Sequence, residues 1–475
     1  MDGAVSTDNR LDGFDPLSEH LGEKAEDRPL FEEATKRIVG NILKSYTGYF
    51  DVFSELVQNS LDAIDVRIRN GNNRQGIIWI KINVPSQIIT VTDNGVGMSE
   101  RELKYCFRPS VSFKSRRESR GHKGVGATFL AYGFAGITVS TKKDSESLAV
   151  SLSGGREWAD ELGTTHQRPR LSVTQFDVPE LTVEPSGTSV SVNIGRGNRP
   201  DLTWWSATSA TQWLELLKIR TPLGGVYLAG QMPPKTFVDV SVVDPASETT
   251  AAKSNSVEYL WPHEIGGSIL PKVKTVKEVQ DHVLRCEGDS ARIAAEFRNP
   301  SAMWDIWSEN ELLSDTNNHW AKTFDEDDAR LIRTHKACVY GCFVSTAKAW
   351  TQYQTDVLKI RRNPLLLRGG MQIASDFMVQ GDLGVIPLTS TIGYQANTHV
   401  VIHFTDGNPD MGRKVFQPEL KALSEKIARQ AVNIFKRYIY LMREDSGAPS
   451  VQDSTELFNW RLAQIEYGKQ NPFDF

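Results

Sequence analysis

The stretch that most restricts this chain is Asp51 to Asp65, DVFSELVQNSLDAID, taken with TDNGVGM from Thr92 to Met98. Phe53, Leu56, Val57, Leu61 and Ile64 recur at about 100° per residue, which predicts an amphipathic helix. Glu55, Asn59 and Asp62 fall on the other face. A helix that merely covers a core mixes Lys and Glu on its solvent side. This one offers a carboxylate and an amide one turn apart, a face presented to something more specific than bulk water.

The 475 residues leave room for about two or three domains. Hydrophobic content of 39% and charged content of 24% are those of an ordinary soluble chain. The formal net charge of -5 argues against a surface built wholly for nucleic acid, while a local basic patch leaves a nucleic-acid partner open. Cys106, Cys286, Cys338 and Cys342 are too scattered for a disulfide framework and read as structural thiols in a reducing cytoplasm. Cys338 and Cys342 lie in an apolar run with no second ligand pair nearby, so burial is expected rather than a metal site. No apolar run approaches the ~20 residues of a membrane span, and the start, MDGAVSTDNRLDGFD, lacks the pattern of a secretory signal. The expectation is a cytoplasmic protein without a membrane partner.

Residues 1 to 28 are rich in Asp, Glu, Gly and Ser and read as a flexible arm. PLFEEATKRIVGNILKSY predicts a helix before the Asp51 helix. GIIWIKINV (76 to 84) and QIITVTD (87 to 93) predict strands, the second delivering Asp93 at its end. Ser99 with Glu102 reads as a capping box. The basic, glycine-rich residues 110 to 126 precede a helix in ATFLAYGFA, a setting in which backbone N–H groups suit phosphate. Strands are expected at 137 to 143, 147 to 153 and 187 to 194, then a Trp-rich helix from Leu202 to Leu217. The reading is an α+β chain: a first domain over 29 to 230, and a second α+β domain over 231 to 416 with an insertion near 274 to 335. The second domain draws its strands from 236 to 244, 337 to 345, 383 to 390 and 399 to 406. A C-terminal helical segment, 417 to 475, opens with the long helix Gln417 to Met442 and has another near Thr455 to Glu466.

Four elements stand in order: Glu55-x-x-x-Asn59, Asp93-x-Gly95-x-Gly97, Gly121-x-x-Gly124-x-Gly126, and Gly187-Thr188 entering a late strand. Each is weak alone; in this order they resemble the GHKL superfamily, which includes type II topoisomerase B subunits, heat-shock chaperones, sensor histidine kinases and MutL proteins. The resemblance covers roughly 30 to 225 and implies a Bergerat-type α/β sandwich that binds ATP with Mg2+, followed by a transducer-like domain. It implies Glu55 as general base, Asn59 as the magnesium ligand, and Asp93 on the adenine amine with Thr188 beside it. Gly95, Gly97 and Met98 border the base, Asp62 supports, and Ala63 sits where a larger side chain crowds the nucleotide. The lid, with Gly121, His122, Lys123, Gly124, Val125 and Gly126, wraps the phosphates, and Lys114, Arg116, Arg117 and Arg120 are further contacts. Lys414 with Arg413, or Lys359 with Arg361 and Arg362, supplies a second-domain cation to the γ-phosphate.

The function implied is an ATPase working as a nucleotide-gated homodimeric clamp on a separate protein effector or client, or on nucleic acid. The alternatives are a nucleotide-dependent binding module with little turnover and a histidine-kinase-like phosphotransferase. Against the kinase stand Glu55 in the base position and the large region following the ATP site.

Overall fold

Ile78, Ile80 and Ile82 alternate with outward residues along GIIWIKIN, and Ile89 and Val91 do so along IITVTD; all five are buried. That period-two pattern makes the centre of a sheet whose inner face needs a cover. The computed structural model describes residues 11–18, 28–109, 111, 124–161, 167–195, 201–287, 289–297, 299–314, 319–388, 390, 392–409 and 415–442.

The first unit runs α1 (Arg28–Ser45), α2 (Asp51–Arg69), β1 (Gly76–Asn83), β2 (Ile88–Asp93), α3 (Glu100–Tyr105), α4 (Gly126–Tyr132), β3 (Gly136–Lys143), β4 (Glu146–Ser153), α5 (Gly155–Asp160), β5 (Ser172–Val173), β6 (Gly187–Asn193), α6 (Ala210–Arg220), β7 (Thr236–Val243) and β8 (Thr249–Ser254). Its eight strands are ordered β5-β4-β3-β6-β2-β1-β7-β8, antiparallel except for β1 with β7. α2 lies across β2, β1 and β6 and buries Val52, Phe53, Leu56, Val57, Leu61 and Ile64. Asp51 in its first turn accepts the Gly48 N–H at 2.7 Å, and Arg67 and Arg69 close its last turn, charges that suit the helix dipole. The Ser99–Glu102 capping box starts α3.

The second unit runs β9 (Val273–Thr275), α7 (Val276–Arg285), α8 (Ser290–Glu296), β10 (Ala302–Trp307), α9 (Glu309–Leu313), α10 (Glu326–Thr334), β11 (Cys338–Val344), α11 (Lys348–Gln352), β12 (Gly370–Ser375), β13 (Met378–Gly384), α12 (Gly393–Asn397), β14 (Thr398–Phe404) and α13 (Pro418–Lys436). Its six strands are ordered β13-β12-β14-β11-β10-β9. β11 and β14 are buried at every position because the sheet is covered on both faces. Val339 and Phe343 join the core under α13, whereas Cys338, Tyr340, Cys342 and Val344 join the core that continues into the first unit. Cys286, Cys338 and Cys342 are buried and all four cysteines are free. The chain is thus a mixed α/β sandwich followed by a further α+β unit. No helix among the described residues is long and apolar enough to cross a membrane.

Several local expectations differ. Thr236–Val243, read as the first strand of the second domain, pairs in parallel with β1 from Gly76↔Thr236 to Asn83↔Val243, so the first sheet extends through β8 to Ser254. The stretch near 274 to 335 is no insertion: β9 and β10 form the end of the second sheet, and Met303 and Trp307 enter its core. Asp305 interrupts the apolar run of β10 and conceals it, because its carboxylate is needed to accept the Lys277 N–H at 3.1 Å. The Trp-rich helix begins only at Ala210, after the Ser209–Gln212 capping box. The strand sought at 383 to 390 is β13, which ends at Gly384, and its neighbour β12 was not anticipated. The helix near Thr455 to Glu466 lies outside the described residues.

The N-terminal arm is a correction too, because residues 11–18 are docked. Leu11 and Leu17 are buried, Gly13 and Phe14 exchange backbone hydrogen bonds with Leu171 at 2.8 Å, and Arg108 Nε donates to the Pro16 carbonyl at 2.7 Å. Arg168 Nη1 donates to Asp15 Oδ2 at 3.0 Å and to the Leu17 carbonyl at 3.2 Å, and Nη2 reaches Glu32. Arg168→Ala leaves two carboxylates without their shared cation and is expected to cost about 2–4 kcal/mol. Urea denaturation of the two proteins measures it, and an unchanged midpoint sinks the anchoring role.

Candidate functional site

Five polar residues of α2, Glu55, Gln58, Ser60, Asp62 and Arg67, are buried. Glu55 and Asp62 are buried and Asn59 is half-buried. Glu55 Oε1 accepts the Tyr46 hydroxyl at 3.1 Å, and the Tyr46 ring stacks on Phe129 of α4 with centroids 4.0 Å apart. Motif reasoning missed Tyr46, because nothing in its local sequence distinguishes it from a core tyrosine.

Gly126 opens α4 directly against Glu55: a Cβ there would lie 1.8 Å from Glu55 Oε2. Gly126→Ala therefore displaces the carboxylate rather than the fold, since alanine is the better helix former. The expected outcome is a thermal midpoint within about 3 °C of the parent with the Glu55 carboxylate moved off the Tyr46 hydroxyl. A crystal structure of Gly126→Ala in which Glu55 keeps its contact with Tyr46 removes the packing argument.

Asp93 ends β2, opposite Thr188 of β6, which is opposite Thr141 of β3. Three adjacent strands thus bring one carboxylate and two hydroxyls to the same level. Thr141 Oγ1 accepts the Met98 N–H at 2.7 Å and lies 3.2 Å from Thr188 Oγ1, so it anchors the end of the DNGVGM turn. Thr141 was not among the expected residues; its place follows only from strand register. Gly95 N–H donates to Asp93 Oδ1 at 2.8 Å, and the Ala63 carbonyl accepts the Val96 N–H at 3.3 Å. A Cβ on Gly95 would stand 2.5 Å from the Ala63 methyl, so a larger residue at 63 displaces this turn first. Gly97 has φ +69°, and a Cβ there would stand 2.1 Å from the Lys142 carbonyl. Asn94 accepts the Ile77 N–H at 2.8 Å and donates to the Gln75 carbonyl at 3.1 Å, tying the turn to the start of β1.

Burial pushes the Asp93 carboxyl up to about 7, against the pull of the Gly95 N–H, the Ser60 hydroxyl, the Arg67 charge and the Thr188 N–H. Gly124 (φ +64°) and Val125 lead into α4. Gly121, His122, Lys123, Lys114, Arg116, Arg117 and Arg120 lie outside the described residues, as do Arg413 and Lys414. Among the described residues no cluster of three or more His, Cys, Asp or Glu could hold a metal.

The family described as histidine kinase-, DNA gyrase B-, and HSP90-like ATPase matches residues 46–173, from Tyr46 through β5. This segment is a GHKL-type ATPase domain. The GHKL segment is similar to the DNA mismatch repair protein MutL of Thermotoga maritima, 29% identical over 144 residues, 27% of this chain and 24% of that protein. MutL of Kosmotoga olearia is 31% identical over 150 residues, 31% of this chain and 21% of that protein. The chaperone protein HtpG of Halalkalibacterium halodurans is 25% identical over 147 residues, 28% of this chain and 23% of that protein. The chain therefore spans about a quarter or less of the length of these relatives.

Proposed function

We propose that this GHKL chain binds ATP with magnesium between α2 and the ends of β2 and β6, and hydrolyses it with Glu55 as general base. The observation that carries the reading is a pair of buried carboxylates, Glu55 on α2 and Asp93 at the end of β2. Glu55 is held by Tyr46 against the first residue of α4, and Asp93 is held by Gly95 and Ser60 beside Thr188.

Asp93, an acceptor only when ionised, takes the exocyclic amine of adenine, and Met98 lies against the base. Gly95 and Gly97 keep the backbone close to the base, Asp62 supports from α2, and Gly124, Val125 and Gly126 meet the phosphates with Gly121, His122 and Lys123. A single amide oxygen from Asn59, without a carboxylate cluster among the described residues, fits an ion that takes most of its ligands from water and phosphate. Bound there, magnesium supplies charge neutralisation to the phosphates. Glu55 orients a water and accepts its proton as oxygen bonds to the γ-phosphorus and the bond to the bridging oxygen breaks, leaving ADP and phosphate.

The second unit is linked to the same helix through residues 204–206 of the first. Trp205 packs on Phe50, the residue before α2, with centroids 5.7 Å apart. Asn363 accepts the Ser206 N–H at 2.9 Å and donates to the Trp204 carbonyl at 2.8 Å. The loop carrying Lys359, Arg361 and Arg362 is thereby tied to the start of the helix that bears Glu55. This coupling supports a clamp in which two copies close with ATP on a protein or nucleic-acid partner and reopen after hydrolysis. The test is to hold Glu55→Ala with ATP and magnesium and measure its mass and its bound nucleotide. A monomer with ATP bound removes the clamp; a protein without ATP removes the site.

A further inference from the structure

Trp204 stands 63% exposed between the buried Leu202 and Trp205. An indole left in water adds nothing to the burial that holds a fold together. Its backbone is nonetheless fixed against a loop of the second unit, where Asn363 donates to the Trp204 carbonyl at 2.8 Å and accepts the Ser206 N–H at 2.9 Å.

That loop is built to one path. A π-helical turn at Tyr353–Val357, a geometry frequent at functional sites, leads into it. Gln354, 3% exposed, spans it from beneath: Nε2 donates to the Asn363 carbonyl at 2.9 Å, Oε1 accepts the Leu366 N–H at 2.7 Å, and its carbonyl accepts the Ile360 N–H at 2.9 Å. Gln212 of α6 donates to the Leu358 carbonyl at 2.7 Å. Leu358, Ile360 and Leu366 are buried, and between the first two Lys359 takes φ +57°, a left-handed conformation uncommon outside glycine. Lys359, Arg361 and Arg362 are exposed, and none of them forms a hydrogen bond or an ion pair among the described residues. The acidic residues nearest in the chain are turned to threonines: Asp201 Oδ1 accepts the Thr203 N–H at 2.8 Å and its hydroxyl at 2.9 Å, and Asp356 Oδ1 accepts the Thr355 hydroxyl at 2.9 Å. A buried amide with both ends used holds a loop in one conformation. Here that conformation presents three cations next to an exposed indole.

We infer that this face binds single-stranded nucleic acid, with Trp204 stacking on an unpaired base while Lys359, Arg361 and Arg362 hold the backbone phosphates. Guanidinium and ammonium groups complement phosphate at any sequence, whereas an indole needs a base released from its pair. An acidic peptide satisfies the cations and leaves the ring without a role; a duplex keeps its bases stacked inside. The inference names the partner class that the clamp reading leaves open. It rests on that reading only for what binding accomplishes, through the packing of Trp205 on Phe50 ahead of α2; the binding itself requires neither ATP nor a second copy.

The test is equilibrium binding of fluorescein-labelled oligothymidylate and oligouridylate of about 16 nucleotides to the full chain without ATP, at about 50–200 mM salt. The parent binds, and the tighter of the two strands identifies the sugar it accepts. Trp204→Ala weakens binding at least about fivefold and Trp204→Phe stays within about threefold of the parent. The triple change Lys359→Gln, Arg361→Gln and Arg362→Gln makes the plot of log affinity against log salt shallower by about 2. No binding by the parent at about 50 mM salt overturns the inference. So does a parent-like salt slope in the triple variant, parent-like affinity in Trp204→Ala, a duplex of the same length bound as tightly, or polyglutamate that competes as well as unlabelled strand. A triple variant that loses ATP turnover but binds the strand like the parent returns the cations to the γ-phosphate and also overturns it. Because ATP is absent, a monomeric Glu55→Ala protein removes the clamp and leaves this result standing.

Discussion

Glu55→Gln is expected to lower ATP turnover by at least about 100-fold, the range lost with a general base, and to leave ATP affinity within about threefold of the parent. The amide is isosteric, can still accept the Tyr46 hydroxyl and still fits beside Gly126, so the pocket keeps its shape. What is lost is a site for the proton of the attacking water. Phosphate release gives the turnover and equilibrium nucleotide binding gives the affinity. Parent-like turnover in Glu55→Gln would remove Glu55 from the chemistry. A loss of affinity as large as the loss of turnover would reassign it to binding. The first outcome would favour a binding module with a different hydrolytic arrangement or none.

Asp93→Asn is expected to reduce ATP affinity more than about 100-fold, because the Gly95 N–H claims the single amide oxygen and the amide N–H is then turned toward the adenine amine, which also donates. The same change stabilises the nucleotide-free fold. Burial raises the folded-state carboxyl of Asp93 to about 7 from the ordinary 3.8. Between those values the folded protein holds a proton that the unfolded chain has released, so stability falls as pH rises through this window and levels off above about 7. The full shift corresponds to about 4 kcal/mol, of which about 1–3 is expected to be recovered by an amide that loses part of the carboxylate hydrogen bonding. Thermal melts of both proteins at about pH 5 and pH 8 check this, with the advantage of Asp93→Asn larger at the higher pH. A constant gap would mean that the Asp93 carboxyl titrates in the ordinary range. Lost affinity with gained stability is the signature of a group retained for binding rather than for folding.

Other parts of the molecule bear on these outcomes through α2. Phe50, the residue before it, meets Trp205, whose neighbours Trp204 and Ser206 bond to Asn363; its last turns hold Arg67. A change at either end therefore reaches Glu55 or Asp93 along a single packed helix. Substitutions that loosen the Asn363 contacts are best judged by comparing turnover with nucleotide affinity, since only a positional effect on Glu55 separates the two.

The sequence by itself determined the elements whose signals are local. α2 declares itself by five apolar residues at helical spacing, β1 and β2 by alternation, and α3 by Ser99 and Glu102, and these stand where they were expected. The order of Glu55, Asn59, Asp93, Gly95 and Gly97 was enough to indicate the GHKL fold, and the family match at 46–173 spans the same helix, strand and turn. Tertiary structure alone decided the rest. β7 finds β1 across a long separation, and nothing in TFVDVSVV specifies which sheet it completes, since a strand offers the same backbone donors and acceptors to either. Thr141 reaches Thr188 through β3–β6 register, and Tyr46 reaches Glu55 from the end of α1. Residues 11–18 are polar enough to read as a free arm, yet Leu11 and Leu17 are buried and Arg168 neutralises Asp15 from far along the chain. The helix that opened the reading shows the same division. Its periodicity predicted which side is apolar, but its acidic face proved to be interior, and only the strands and charges packed against it determine what Glu55, Asp93 and Arg67 experience. Periodicity is written within one or two turns of chain; burial and electric field are sums over everything that folding brings near.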